Sequence, residues 1–164
     1  MTGLARFVVL LLPFASFLGQ PSRSIDKLPD CNKVVTDVPA AWKVVDTARS
    51  RVTFRLPPDA KEAPTPQGCI HGCQEWTADG LTVRISFGLW GEGSFADDRW
   101  AHACRAARTG FWLVIMHGKG ERDMVIWPVP PGMPDPGDYV IRAEWTSAAA
   151  EAAAGRIAGS VRLK

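Results

Sequence analysis

The feature that most restricts the fold of this 164-residue chain is a two-residue alternation, clearest in Leu81-Thr-Val-Arg-Ile-Ser-Phe87. Successive side chains of a strand point to opposite faces, so Leu81, Val83, Ile85 and Phe87 share one face and Thr82, Arg84 and Ser86 the other. Such a segment buries one side only, which predicts an antiparallel sheet packed on a core. Asp79-Gly80 ahead of it is a turn dipeptide and predicts a hairpin with Gln74–Thr77.

The same pattern recurs. Val52, Phe54 and Leu56 alternate with Arg51, Thr53 and Arg55, and Trp42–Asp46 precedes them as a second extended run. Tyr139, Ile141, Ala143 and Trp145 are expected to face inward from another strand. Phe111–Met116 is apolar on both faces, as in a strand covered on both sides. Met124–Trp127 follows it after the turn-forming Gly118-Lys-Gly120, so these two are expected to form an antiparallel hairpin. Between the strands, Pro57–Gln67 and Pro128–Gly137 are rich in proline, which removes backbone donors and fixes φ; both are expected as surface loops. The segment from Ala96 to Thr109 fits a short helix or a strand.

Near the C-terminus the alternation gives way to Ala148–Ala158, a run of the strongest helix former. Thr146 or Ser147 can cap its start, Glu151 complements the dipole near its first turn, and Gly159 is the expected C-cap. Ser160–Leu163 is expected to return as a short strand. The sequence therefore predicts an α+β fold: a mainly antiparallel sheet of roughly seven strands, one C-terminal helix, and Pro/Gly-rich loops.

The first residues point to a compartment. After the basic Arg6 comes F-V-V-L-L-L-P-F-A-S-F-L, an apolar run of signal-peptide length and short for a membrane span. Residues 1–24 are expected to be an export signal, with Ser22 and Ser24 offering small residues for cleavage, and to leave no stable membrane span. Residues 25–40 then form an irregular arm, and 41–164 a single domain. The leader carries Arg6 and Arg23 and no acid, so the remainder has 17 basic against 17 acidic residues. A neutral chain with no Lys/Arg cluster argues against nucleic-acid binding, which needs a basic face.

An exported chain with four cysteines, Cys31, Cys69, Cys73 and Cys104, is the usual circumstance for two disulfides. Because longer loops gain more from closure, the expected bonds join the 69–73 hairpin to Cys104 and to Cys31, with Cys73–Cys104 as the favoured pair. Thiolates and imidazoles also suit zinc or copper, and Cys69-x-His71-x-Cys73 with His102-x-Cys104 gives a metal-binding alternative. It lacks a second cysteine pair of the right spacing, so no metal and no cofactor are expected.

Catalytic patterns are weak. Ser94 lies in G-E-G-S-F, which is not a nucleophile elbow. His117 with Asp135 makes a base and its orienting acid only if the fold joins them. Glu75, Glu92, Asp97 and Asp98 could supply a hydrolase pair only by geometry. The remaining candidate is the Gly-rich stretch Gly88–Phe95 with its continuation to Trp100. Its expected ligand-binding residues are Trp90, Glu92, Ser94 and Trp100, since loop indoles can stack on a sugar or a partner side chain. The other tryptophans in apolar runs, Trp42, Trp112, Trp127 and Trp145, are expected in the core. The composite expectation is a periplasmic or secreted, disulfide-stabilised binding module for an envelope protein or glycan. An envelope hydrolase using loop carboxylates is the enzymatic alternative.

Overall fold

The computed structural model describes residues 25, 28–31, 37–47, 49–65, 69, 72–87, 100–118, 122–129 and 139–164. Their elements, in chain order, are β1 (Lys43–Asp46), β2 (Val52–Leu56), β3 (Lys61–Ala63), β4 (Cys73–Ala78), β5 (Leu81–Phe87), β6 (Trp100–Arg108), β7 (Phe111–Gly118), β8 (Asp123–Val129), β9 (Tyr139–Trp145), α1 (Ala148–Ser160) and β10 (Arg162–Leu163). Seven strands form one sheet in the order β3-β4-β5-β9-β8-β7-β6, and β1-β2-β10 form a second. All the strand pairings are antiparallel. The fold is α+β, as the alternation predicts.

The inward faces follow directly from the pattern. Val83 pairs with Trp76 on β4 and Ala143 on β9, Ile85 pairs with Ile141, and Ile141 pairs in turn with Ile126. This face continues through Ile115 and Leu113 to Cys104 and Ala106 on β6. It packs against Val52, Phe54 and Leu56 of the small sheet and against Ala150, Ala154, Ile157 and Ala158 of the helix. The alanines give little apolar area each, so the helix gains its contact by lying close to the sheet, as its composition predicts.

β7 and β8 are buried on their other face as well. Val114, Met116, Val125, Trp127 and Val129 form a second cluster with Val140, Ile25 and Leu28. Ile25 and Leu28, each only 8 % exposed, bring the N-terminal arm onto the back of the sheet. The arm also covers its edge. Cys31 donates its backbone N–H to Arg105 O at 2.8 Å and Arg105 N donates to Pro29 O at 2.8 Å, so residues 29–31 run beside β6 and meet its unpaired groups. The opposite edge, β3, is blunted by being three residues long and carrying Lys61 and Glu62.

Several expectations are corrected. β3 lies inside the stretch expected to be an entirely irregular proline-rich loop, where Lys61–Ala63 pair with Thr77–Glu75. Ala96–Thr109, left open between helix and strand, holds the nine-residue β6. Pro128 belongs to β8 and pairs with Leu113. The pairing of β8 with β9 ends at Ile126, and a strand with one free edge accommodates a residue lacking an N–H.

Gly159 is not the helix cap. The helix runs on to Ser160 and ends at Val161, whose ψ of 130° is extended. The terminal carbonyls are met by side chains instead. Ser160 Oγ donates to Ile157 O and accepts from Arg55 N on β2, while Arg162 donates to Gly159 O and Val161 O. No left-handed residue is required once those acceptors are satisfied. The start of the helix is as expected, with Ser147 Oγ accepting from Ala150 N.

Candidate functional site

Both disulfides form, with a connectivity different from the one loop closure favours: Cys31 bonds Cys104 and Cys69 bonds Cys73. The bonds expected between the 69–73 hairpin and Cys104 or Cys31 are therefore absent. The physical reason is local. Cys31 and Cys104 have Cα atoms 5.4 Å apart because the arm is already hydrogen-bonded to β6. Cys69 and Cys73 flank a chain reversal in which Gly72 takes φ +92° and donates to Cys69 O. The positive φ makes glycine the residue this reversal favours, whereas the Arg49 guanidinium near the Gly72 Cβ position is the end of a flexible, exposed side chain that can swing aside.

With every cysteine bonded, the thiolates of the metal reading are consumed. His71 lies outside the described residues, and among the described residues no group of three metal-ligating side chains is found. Trp90, Glu92 and Ser94 also lie outside them, as do Asp97, Asp98 and Asp135. Trp100 begins β6 opposite Gly118, with a register shift between Trp100 and His102. The ends of the intervening segment are both placed. Phe87 closes β5 beside the start of β9, whereas Trp100 opens β6 at the opposite end of the sheet, four strands or about 19 Å to the side.

The end of the sheet where Trp100 enters gathers polar and titratable groups. His102 and His117 are directly paired across β6 and β7, and the His117 ring meets Trp145 edge-on with centroids 6.3 Å apart. Burial holds His117 below the usual imidazole range, and the facing His102 lowers it further; Glu151 and Asp123 act in the opposite sense. A neutral imidazole at pH 7 is a competent acceptor.

At the same end of the sheet but on its other face lies a cavity of about 620 Å³ whose wall includes Thr77, Thr82, Arg122, Asp123, Arg142 and Glu144. Apart from Arg122, which precedes β8, these are positions of β4, β5, β8 and β9 that alternate with the core residues just described. Arg84 and Arg142 are direct cross-strand neighbours, an arrangement that would repel without nearby carboxylates. Each has one. Arg84 holds Glu75 by two N–H groups at 2.8 and 2.6 Å, and Arg142 holds Asp123 at 2.8 Å and Glu144 at 3.0 Å. Asp123 is 3 % exposed, and its second oxygen, Oδ1, is buried without a hydrogen-bond partner. The cavity wall thus offers a vacant acceptor beside Arg142, which Asp123 and Glu144 already balance.

Sequence reasoning missed this cluster. Its signal was present as Glu75, Arg84, Arg142 and Glu144 on the polar faces of alternating strands, but their cross-strand register was not legible. Among the tryptophans, Trp42, Trp127 and Trp145 are buried as expected, whereas Trp112 is half-buried and carries the Arg105 guanidinium 4.5 Å from its ring centroid. Among the described residues no helix is long and apolar enough to cross a membrane. Comparison with protein-family models, with curated proteins and with solved structures found no match to this chain.

Proposed function

We propose that the protein is an exported, disulfide-stapled domain of the periplasm or cell exterior that binds an envelope protein or glycan and performs no chemistry on it. In this reading residues 1–24 are removed as a signal peptide and Ile25 begins the mature arm. The observation that carries the reading is the Cys31–Cys104 bond, which ties that arm to the outer strand of the large sheet across 73 residues. Such a staple is useful where thiols are oxidised and little use in a reducing cytosol.

The contact surface in this proposal is the 88–100 stretch, with Trp90 and Trp100 as apolar anchors and Glu92 and Ser94 as polar contacts. Its support is the position of Trp100 at the end of the sheet that also presents His102, His117 and the Asp123 cavity. The test is crosslinking of the full chain in its native envelope, comparing wild type with W90A/W100A. Capture of one discrete envelope component by wild type, lost in a variant that keeps its thermal midpoint, supports the reading. Equal capture by the folded variant removes the 88–100 surface from it.

A further inference from the structure

A second cavity, of about 660 Å³, opens on the other side of the molecule between the small sheet, the helix end and the last residue of β6. Its wall includes three arginines from three separate elements: Arg55 of β2, Arg108 of β6 and Arg162 of β10. Among the described residues that line it, Asp37 is the one carboxylate, and it makes no ion pair with them. In the first cavity, Arg142 is held by Asp123 and Glu144, while Arg122 donates to the Thr146 carbonyl. Here, the described guanidinium contacts are to backbone carbonyls: Arg55 to Ala40 O at 3.2 Å, Arg108 to Ala107 O at 3.1 Å, and Arg162 to Gly159 O and Val161 O at 2.8 and 2.7 Å.

Those bonds leave most of the five N–H groups of each guanidinium unspent. The Nε of Arg108 is buried with no hydrogen-bond partner at all. A buried, unpaired donor on a cation is costly, and it persists only where something else meets it. Burial, and then the neighbouring Arg162, both act against the charged form of Arg108. An anion between the two would reverse that second effect. The remainder of the wall is mixed, with Phe54 at its base and Val38 and Val44 on its rim; Val44 is 58 % exposed. Its size lies within the range of small-molecule sites.

We propose that this cavity is a binding site for an oxyanion, a carboxylate or phosphate group carried on a small, partly apolar molecule. The anionic group is held by the forks of Arg108, Arg162 and Arg55, for which planar guanidinium geometry is suited, and the apolar part rests on Val44 and Val38. Arg108 lies at the opposite end of β6 from Trp100, and the proposal does not depend on the 88–100 stretch.

The test is titration of the purified full-length mature protein at low ionic strength with phenyl phosphate, benzoate and inorganic phosphate, followed by calorimetry and by thermal midpoint. The expected result is saturable binding of phenyl phosphate or benzoate, tighter than that of inorganic phosphate. The rank of the first two tells a phosphate from a carboxylate ligand. R108Q is expected to weaken binding by at least about tenfold, and R108K, which keeps the charge and loses the fork, by less. R156Q, with the same charge change on the exposed face of the helix, should alter it by less than about twofold. R108Q should also melt no lower than wild type without anion and gain less than wild type from adding it. Should R108Q not fold, R55Q carries the same expectation. Failure of all three anions to saturate, or equal weakening by R156Q and R108Q, overturns the proposal.

Discussion

His102 and His117 stand directly opposite each other on β6 and β7, on the face of the large sheet that carries the helix, and His117 is the half-buried member of the pair. Burial first, and His102 second, hold His117 below its unfolded value of 6.5. The unfolded chain therefore binds more protons than the folded one in the window below pH 6.5, and stability falls as pH drops through it. Urea midpoints measured from pH 7.5 to pH 5.5 should decline for wild type, and His117→Gln should flatten that decline. A variant as pH-dependent as wild type would assign the effect elsewhere.

Asp123 is buried against Arg142, whose guanidinium also reaches Glu144. Removing one partner leaves the other charge incompletely met, so Asp123→Ala should cost about 2–3 kcal/mol. Replacing both by apolar groups should recover much of that loss. Urea unfolding of D123A, R142M and D123A/R142M measures the coupling, and additive losses would show that the two side chains act independently.

Ala154 is fully buried where the helix meets the sheet. Extra methylenes there must displace either the helix or its neighbours, at a cost of about 1–3 kcal/mol. Ala154→Leu should lower the thermal midpoint, while Ala152→Leu on the exposed face should leave it nearly unchanged. Equal effects from the two would contradict the close helix–sheet packing described above.

How far the fold was legible depended on whether a segment's own residues or a distant one decided its structure. Leu81–Phe87 and Val52–Leu56 were readable because each alternates between core and solvent. Ser147 was readable as a cap because its hydroxyl acts on a backbone N–H three residues away. Gly159 misled for the converse reason: Arg55, 105 residues from Ser160, helps to close the helix end, and no local pattern announces it. The cysteines belong with Gly159. Chain entropy favours long loops, but Cys69 and Cys73 are joined by a reversal at Gly72, and Cys31 is set beside Cys104 by backbone pairing with Arg105. The three arginines of the second cavity lie at positions 55, 108 and 162, so only folding brings them together.

The central claim is that the arm around Cys31 is locked by a disulfide to β6, the edge strand of the large sheet. Peptide mapping without reduction, on protein recovered from its native compartment, tests it most directly. The expected result is no free thiol, with Cys31 linked to Cys104 and Cys69 to Cys73. The loop-entropy model adds that C31A/C104A should lose about 4 kcal/mol and C69A/C73A about 2 kcal/mol. Recovery of Cys31 and Cys104 as free thiols in the native protein would contradict the claim.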